Sequence, residues 1–400
     1  MNVLFIHQNF PGQFIHLSAA LAKDLSHRVV ALGMNDRPVP AGVELRRYAL
    51  LRESQTDTHP LLREQESHVL RAEACASAAL KLKHDGFDPD IVVAHPGWGE
   101  AMFIKDVFPR AKLLIYCEYF YALEGQDVGF DPDETPLTFQ QKAKLRLKNT
   151  TNLLSLQIAD AALCPTEWQK STYPAWAQDK ISVIHDGIDL QRLQFRPHAR
   201  LSIAGHHGGA ARTLQPGDEV LSFVARNLEP VRGFHIFMRC LPELLRRRPD
   251  AQVLVVGGDE VSYGHRPPEG TCWREHLLAE LGGALDLKRV HFTGKLSYAN
   301  YLDLLSISRL HCYWTTPFVL SWSLLEAAAS GLPVLASATQ PVLEFASPLR
   351  IGTIDFFDTG AWSEALTEGL HQPQREAPKR YPQIDLAHCL AEQRKLLLSI

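Results

Sequence analysis

Residues 317–336 read PFVLSWSLLEAAASGLPVLA. Pro317 opens a turn, the leucine- and alanine-rich run after it reads as a helix, and Gly331 stops that helix. Pro333-Val334-Leu335-Ala336 then begins a short apolar run of strand type. A helix that hands over through a tight glycine turn to a strand buried on both faces is one step of an α/β fold. The same alternation runs outward through the whole chain. Strand-like runs fall at Val3–Ile6, Arg28–Ala31, Ile91–Ala94, Lys112–Tyr116, Ala161–Leu163 and Ile181–Ile184, and again at Val220–Ala225, Gln252–Val256, Val290–Phe292, Leu310–Tyr313 and Pro333–Ala336. Longer helical patterns separate them, which predicts an α/β fold of βαβ units around mostly parallel sheets in both halves.

A length of 400 residues exceeds one core and fits two domains. The seam is expected after HDGIDLQRL. This gives an N-terminal domain over 1–193 and a C-terminal domain over 194–385, with a helix over 386–400 packing back on the first. The Gly-, His-, Ala- and Pro-rich segment Arg196–Asp218 reads as an exposed, mobile connection, and its His206-His207 pair as solvated loop rather than metal ligands. A formal net charge of −4 gives no general attraction to nucleic acid. No apolar run reaches the roughly 20 residues of a membrane span. MNVLFIHQNF reads as a buried first strand and not a leader. Seven scattered cysteines without a CxxC pair support neither a disulfide framework nor a zinc site, and a reducing cytoplasm is the simplest setting.

Ligands of open α/β sheets bind at the carboxyl ends of the strands, so residues there are the candidates. Two sheets facing one another would place a ligand in the cleft between them. Glu326 is the one acidic residue on a small, apolar helix face, where an unpaired carboxylate invites a polar ligand. The start of that helix, Leu320-Ser321-Trp322-Ser323, offers backbone N–H groups and a positive dipole end to a phosphate. Arg226 and Arg232 straddle a Pro-containing turn after another strand, fitted to a diphosphate or equally to solvent. Gly12 closes the first strand-to-helix turn, where a bare backbone could approach a phosphate or sugar, although such a turn needs glycine structurally as well. His95 ends a strand in HPGWG and divides evenly between a site residue and a structural one. Glu118-Tyr119 follows the next strand, where Glu118 suits either an acceptor hydroxyl or a turn. Gly258 and the pair Lys295-Leu296 close two further strands; the first suits close backbone packing near a ligand, and the second could present backbone groups to a nucleobase. Lys142, Lys144, Arg146 and Lys148 split over different helix faces and read as a solvated helix. GxGxxG is absent, which counts against a dinucleotide oxidoreductase.

These pieces in this order resemble glycosyltransferase family 4, retaining enzymes of the GT-B fold. A bacterial subgroup is closest, on the segments EYFY (118–121), CPTEWQ (164–169), VSYG (261–264) and PFVLSWSLLEA (317–327). The resemblance implies a fold of two Rossmann-like domains facing across a cleft. It also implies hexosyl-type transfer from a UDP- or GDP-sugar to an unidentified acceptor, with no metal or other cofactor. His95, Arg226 and Arg232 would be catalytic. Gly12, Gly258, Lys295, Leu296, Leu320, Ser321, Trp322, Ser323 and Glu326 would bind the donor, and Glu118 and Tyr119 would lie on the acceptor side. Family members carry a second glutamate eight residues before Glu326, a glycine at 321 and usually a lysine at 232. Here these are Phe318, Ser321 and Arg232. A sugar-nucleotide epimerase or hydrolase, or a non-catalytic nucleotide-sugar scaffold, shares the same donor site. The resemblance places the protein in the cytoplasm, with peripheral contact at the inner membrane face as the furthest membrane association.

Overall fold

A computed structural model describes residues 1–205, 211–267, 270–371, 375–378 and 381–400. The chain divides into two compact units. Unit 1 comprises Met1–Gly187 with Pro382–Ile400, and unit 2 comprises Ile188–Tyr381. The division therefore falls after Gly187, inside the HDGID segment, upstream of the expected seam after residue 193.

Unit 1 is built on seven parallel strands: β1 (Asn2–Ile6), β2 (Arg28–Gly33), β3 (Val43–Arg47), β4 (Ile91–Ala94), β5 (Lys112–Tyr116), β6 (Ala161–Cys164) and β7 (Ile181–Val183). Their order is β3-β2-β1-β4-β5-β6-β7. Strand β1 shows why the runs are continuously apolar. Leu4 and Ile6 join Val30, Leu32, Val92 and Ala94 in one core, while Val3 and Phe5 join Val29, Ala31, Ile91 and Val93 in the other. Each such side chain stabilises by about 1.5–3 kcal/mol when fully buried. The order reverses between β1 and β4, whose registers pair Val3 with Ile91 and Ile6 with Ala94. The helix Leu386–Ser399 completes this unit: Asp385 caps it through the His388 N–H, Leu397 enters the second core, and Gln393 donates to the His185 carbonyl at 3.0 Å.

Unit 2 opens with an antiparallel pair, β8 (Leu201–Ile203) and β9 (Arg212–Leu214), whose Leu201, Ile203 and Leu214 are buried. The expectation of a wholly exposed connection over 196–218 is thus corrected for these strands, because alternate apolar residues give them a face to bury. Its His206-His207-Gly208-Gly209 centre lies outside the described residues. Six parallel strands follow: β10 (Val220–Asn227), β11 (Gln252–Gly258), β12 (Val290–Gly294), β13 (Leu310–Tyr313), β14 (Val334–Ser337) and β15 (Gly352–Ile354), in the order β12-β11-β10-β13-β14-β15. Here the order reverses between β10 and β13. A reversal leaves a crevice at the strands' carboxyl ends, the preferred ligand position in open α/β sheets.

Candidate functional site

In unit 2 the residues after β10 meet those after β13 at that reversal. Pro230–Arg232 forms one 3₁₀ turn, and Gly233 ends it at φ +61°. A Cβ at Gly233 would overlap Trp314, so the left-handed conformation and the close approach both require glycine. This seats Arg232 inside the protein, only 6% exposed. Its Nη1 donates to the Tyr313 hydroxyl (3.0 Å), Thr315 Oγ1 (2.8 Å) and the Val319 carbonyl (2.9 Å). The guanidinium lies over the rings of Tyr263 (5.5 Å) and Phe318 (5.7 Å). All these hydrogen bonds use one nitrogen and neutral acceptors. Among the described residues no carboxylate pairs with Arg232, whereas Arg274 pairs with Asp259 and Arg248 with Glu219. A buried cation without a counter-charge is costly unless an anion arrives. Arg226 is exposed and likewise makes no ion pair among the described residues.

The start of the helix Trp322–Ala329 is less open than expected. Ser321 caps it through the Ser323 N–H (3.3 Å), and the Ser321 N–H donates to the Tyr313 hydroxyl (3.0 Å). Two of the anticipated phosphate donors are therefore already engaged. Leu320 and Trp322 are half-buried beside them. Glu326 is 9% exposed and is not alone: the Tyr298 hydroxyl donates to it at 2.9 Å. Burial raises its carboxyl above the ordinary range, and hydrogen bonds from Tyr298 and Tyr301 offset part of that rise. Arg192 stacks on the Tyr298 ring at 4.7 Å. Arg232, Tyr313, Ser321, Ser323, Tyr301 and Glu326 form one continuous network, since the Tyr301 hydroxyl also donates to the Ser323 carbonyl at 3.4 Å.

Gly258 and Lys295 lie together at the ends of β11 and β12. A Cβ on Gly258 would come within 2.6 Å of Asn227 and Glu260 and 2.7 Å of the Lys295 stem. Lys295 pairs with Glu260 at 2.7 Å, and Leu296 is half-buried next to it. One residue that the sequence reading passed over is Glu229, wholly buried in the turn between the two arginines. Its carboxylate accepts the backbone N–H groups of Ser262, Tyr263 and Gly264. A carboxylate beside a proline between two arginines reads as a solvated turn. The only signal was the VSYG segment, whose partner nothing local identifies.

In unit 1 the corresponding reversal gathers His7 after β1, His95 after β4 and Glu118 after β5. His7 Nδ1 accepts the Asn9 N–H (2.9 Å) and His95 Nδ1 accepts the Gly97 N–H (3.1 Å), which leaves the proton of each neutral ring on Nε2. His7 Nε2 meets Gln13 Oε1 (2.8 Å), Gln13 Nε2 donates to Glu118 Oε1 (2.6 Å), and His95 Nε2 lies 3.3 Å from Glu118 Oε2. His95 stacks against Trp98 (4.7 Å) and Tyr116 (5.7 Å). Burial, with the neighbouring His95, pushes His7 down to about 3. Burial works to raise Glu118, but hydrogen bonds from His95 and Gln13 outweigh it and hold that carboxyl below its usual range. A third of the Glu118 side chain remains exposed. The result is an anionic oxygen pair held by His95 and Gln13, suited to accept from a hydroxyl.

Two expected residues are differently employed. Gly12, at φ +47°, makes room for the His7 ring, which a Cβ would overlap. Tyr119 is buried and its hydroxyl donates to Asp127 (2.8 Å). HDGID is a structural knot, with Tyr116 donating to Asp186 (2.9 Å) and the Gly187 N–H to His185 Nδ1 (3.0 Å). The helix bearing Lys142, Lys144 and Arg146, Phe139–Leu147, buries no residue. No group of three or more His, Cys, Asp or Glu suited to a metal ion occurs among the described residues. No described helix is long and apolar enough to cross a membrane.

Two Rossmann-like parallel-sheet units in one chain, each with polar residues at its strand-order reversal, match the GT-B architecture of solved glycosyltransferases. Residues 25–193 match the glycosyl transferase family 4 group and residues 218–368 match the glycosyl transferases group 1. The chain belongs to this family. A D-inositol 3-phosphate glycosyltransferase from Streptomyces coelicolor is 31% identical over 169 residues, covering 40% of this chain. The chain spans about a third of that relative's length, 35%. Among solved structures, a UDP-forming α,α-trehalose-phosphate synthase from Burkholderia vietnamiensis superposes with a TM-score of 0.68 at 12% identity, over 100% of both chains. Sucrose-phosphate synthase from Thermosynechococcus elongatus does so at 0.65 and 16%, over 100% of this chain and 98% of that one.

Proposed function

We propose that the protein transfers a hexosyl group from a UDP- or GDP-sugar to an acceptor hydroxyl, with retention at the anomeric carbon. The observation that carries this reading is Arg232: a buried guanidinium that has no counter-ion, and no partner on Nε or Nη2, among the described residues. Arg232 and Arg226 receive the donor diphosphate and stabilise the charge that grows on it as the glycosyl bond breaks. Glu326, held by Tyr298, accepts from the nucleotide ribose. Gly258, Lys295 and Leu296 line the base end, and Leu320–Ser323 the sugar end.

In the front-face course usual for the family, the departing phosphate takes the acceptor's proton, so no carboxylate nucleophile is needed. Glu118 and His95 belong to the acceptor side and the sugar respectively. We assign the charge compensation to the arginines and the helix start rather than to a metal, and the setting to the cytoplasm. The lines of support are the family match and the two arginines, which make no ion pair among the described residues.

The test incubates the protein with UDP- and GDP-sugars and measures nucleotide release, alongside nucleotide binding by wild type, Glu326→Ala and Lys144→Ala. Release with at least one donor is expected, with Glu326→Ala weakening nucleotide binding and Lys144→Ala leaving it unchanged. No release and no nucleotide binding would overturn the enzyme reading. Equal effects of the two substitutions would overturn the placement of the site.

A further inference from the structure

Glu229 is wholly buried, and one of its oxygens, Oε1, has no hydrogen-bond partner among the described residues. The other, Oε2, receives three consecutive backbone N–H groups, from Ser262 (3.2 Å), Tyr263 (3.2 Å) and Gly264 (3.0 Å). Successive N–H groups aimed at one point make an anion-binding concavity. Here the chain's own carboxylate fills it. The Asn227 amide, which lies 2.6 Å from Ser262 Oγ, adds a second tether to the same segment. Burying a carboxylate with one oxygen unpaired costs stability, so economy of folding does not account for the arrangement.

The tethered segment carries Tyr263. Its ring sits 5.5 Å from the Arg232 guanidinium and 4.8 Å from the ring of Phe318, which also lies against Arg232. Tyr263 itself remains 44% exposed, so stacking and not burial holds it there. Tyr263 and Phe318 together cover the guanidinium, while its Nη1 is fixed by Tyr313, Thr315 and Val319. The rings and the fixed nitrogen leave the Nε and Nη2 edge as the part of Arg232 free to meet an anion.

We propose that Glu229 is a positioning residue: it holds residues 262–264 so that Tyr263 keeps Arg232 in the orientation that receives the donor diphosphate. This rests on the donor-site reading above and adds to it the group that preorganises the site. A flexible arginine loses rotamer freedom on binding, and prior fixing removes that loss.

The experiment compares wild type, Glu229→Ala, Glu229→Gln, Tyr263→Ala and the Glu229→Ala/Tyr263→Ala pair by UDP and GDP titration, with amide hydrogen exchange at residues 262–264. Glu229→Ala is expected to speed exchange at 262–264 and weaken nucleotide affinity about tenfold, as Tyr263→Ala does, and the pair to be no weaker than either alone. Glu229→Gln keeps an accepting oxygen and is expected to restore both readouts. Faster exchange with unchanged affinity, or additive losses in the pair, would overturn the proposal while leaving the donor site intact. Absence of UDP and GDP binding by wild type would overturn the donor-site reading and this proposal with it.

Discussion

Replacing Arg232 by methionine separates stability from binding. The variant keeps an unbranched apolar stem as far as the position of Nε but removes the guanidinium that lies against the Tyr263 and Phe318 rings, and with it the charge. On the stability side it loses three hydrogen bonds to neutral acceptors, about 1 kcal/mol each, and two ring contacts worth about 0.5–2 kcal/mol each. Against this it recovers the desolvation cost of a buried charge that no described carboxylate compensates, several kcal/mol. The terms nearly cancel, so stability should change by about 2 kcal/mol or less, a few degrees in Tm. On the binding side, two charge-assisted hydrogen bonds from Nε and Nη2 to a diphosphate are worth about 3–5 kcal/mol together. Nucleotide affinity should fall by roughly 10²–10⁴-fold. Arg248→Met is the counterpart. It strands Glu219, whose side chain is 10% exposed and keeps only Arg309 at 4.0 Å, and should cost about 3 kcal/mol without touching affinity. Differential scanning fluorimetry gives the first quantity and isothermal titration with UDP and GDP the second. If Arg232→Met lowered Tm as far as Arg248→Met and left affinity unchanged, Arg232 would be a structural residue and the reasoning would fail.

Acid should weaken the fold well above the carboxylate range. Burial holds His7 at about 3 and His185 and His311 at about 4, below the ordinary 6.5. The unfolded chain therefore takes up these protons first, so stability is complete above pH 6.5 and declines as pH falls towards 4. At pH 5 each contributes a loss of about 2 kcal/mol; a Tm that stays level between pH 7.5 and 5 would contradict this. Gly233→Ala places a Cβ against Trp314 at φ +61° and should cost about 2–4 kcal/mol in urea unfolding, whereas a cost under 0.5 kcal/mol would mean that the turn relaxes freely.

Strands β4, β5 and β13 could be read to the residue because both faces are buried, which leaves an unbroken apolar run between turn signals. Two of the four edge strands of the parallel sheets, β3 and β15, could not. In β3, VELRR, only Val43 is buried, and β15, GTI, buries none of its residues. A strand with one open side carries no run of that kind. At the candidate site the strand-end histidine and the two arginines stood out because their residue types are unusual at such turns. Glu229 and Gln13 did not, since their partners lie 33–35 and 105 residues away and only the fold brings them together. Glu326 was legible as a buried carboxylate, but its partner Tyr298, on the preceding helix, was not.

Unit 1 is discontinuous: residues 382–400 return to it after the whole of 188–381 has intervened. During synthesis at 5–20 residues per second, the seven strands of β1–β7 wait about 10–40 s for the helix that covers their second core. For that interval the surface later occupied by Leu397 is open to water and to other nascent chains. Unit 2 has no such delay, being uninterrupted in the chain. The early half of the polypeptide is thus the late half of the fold, and recovery on expression should respond to chaperone supply more through residues 1–187 than through 188–381.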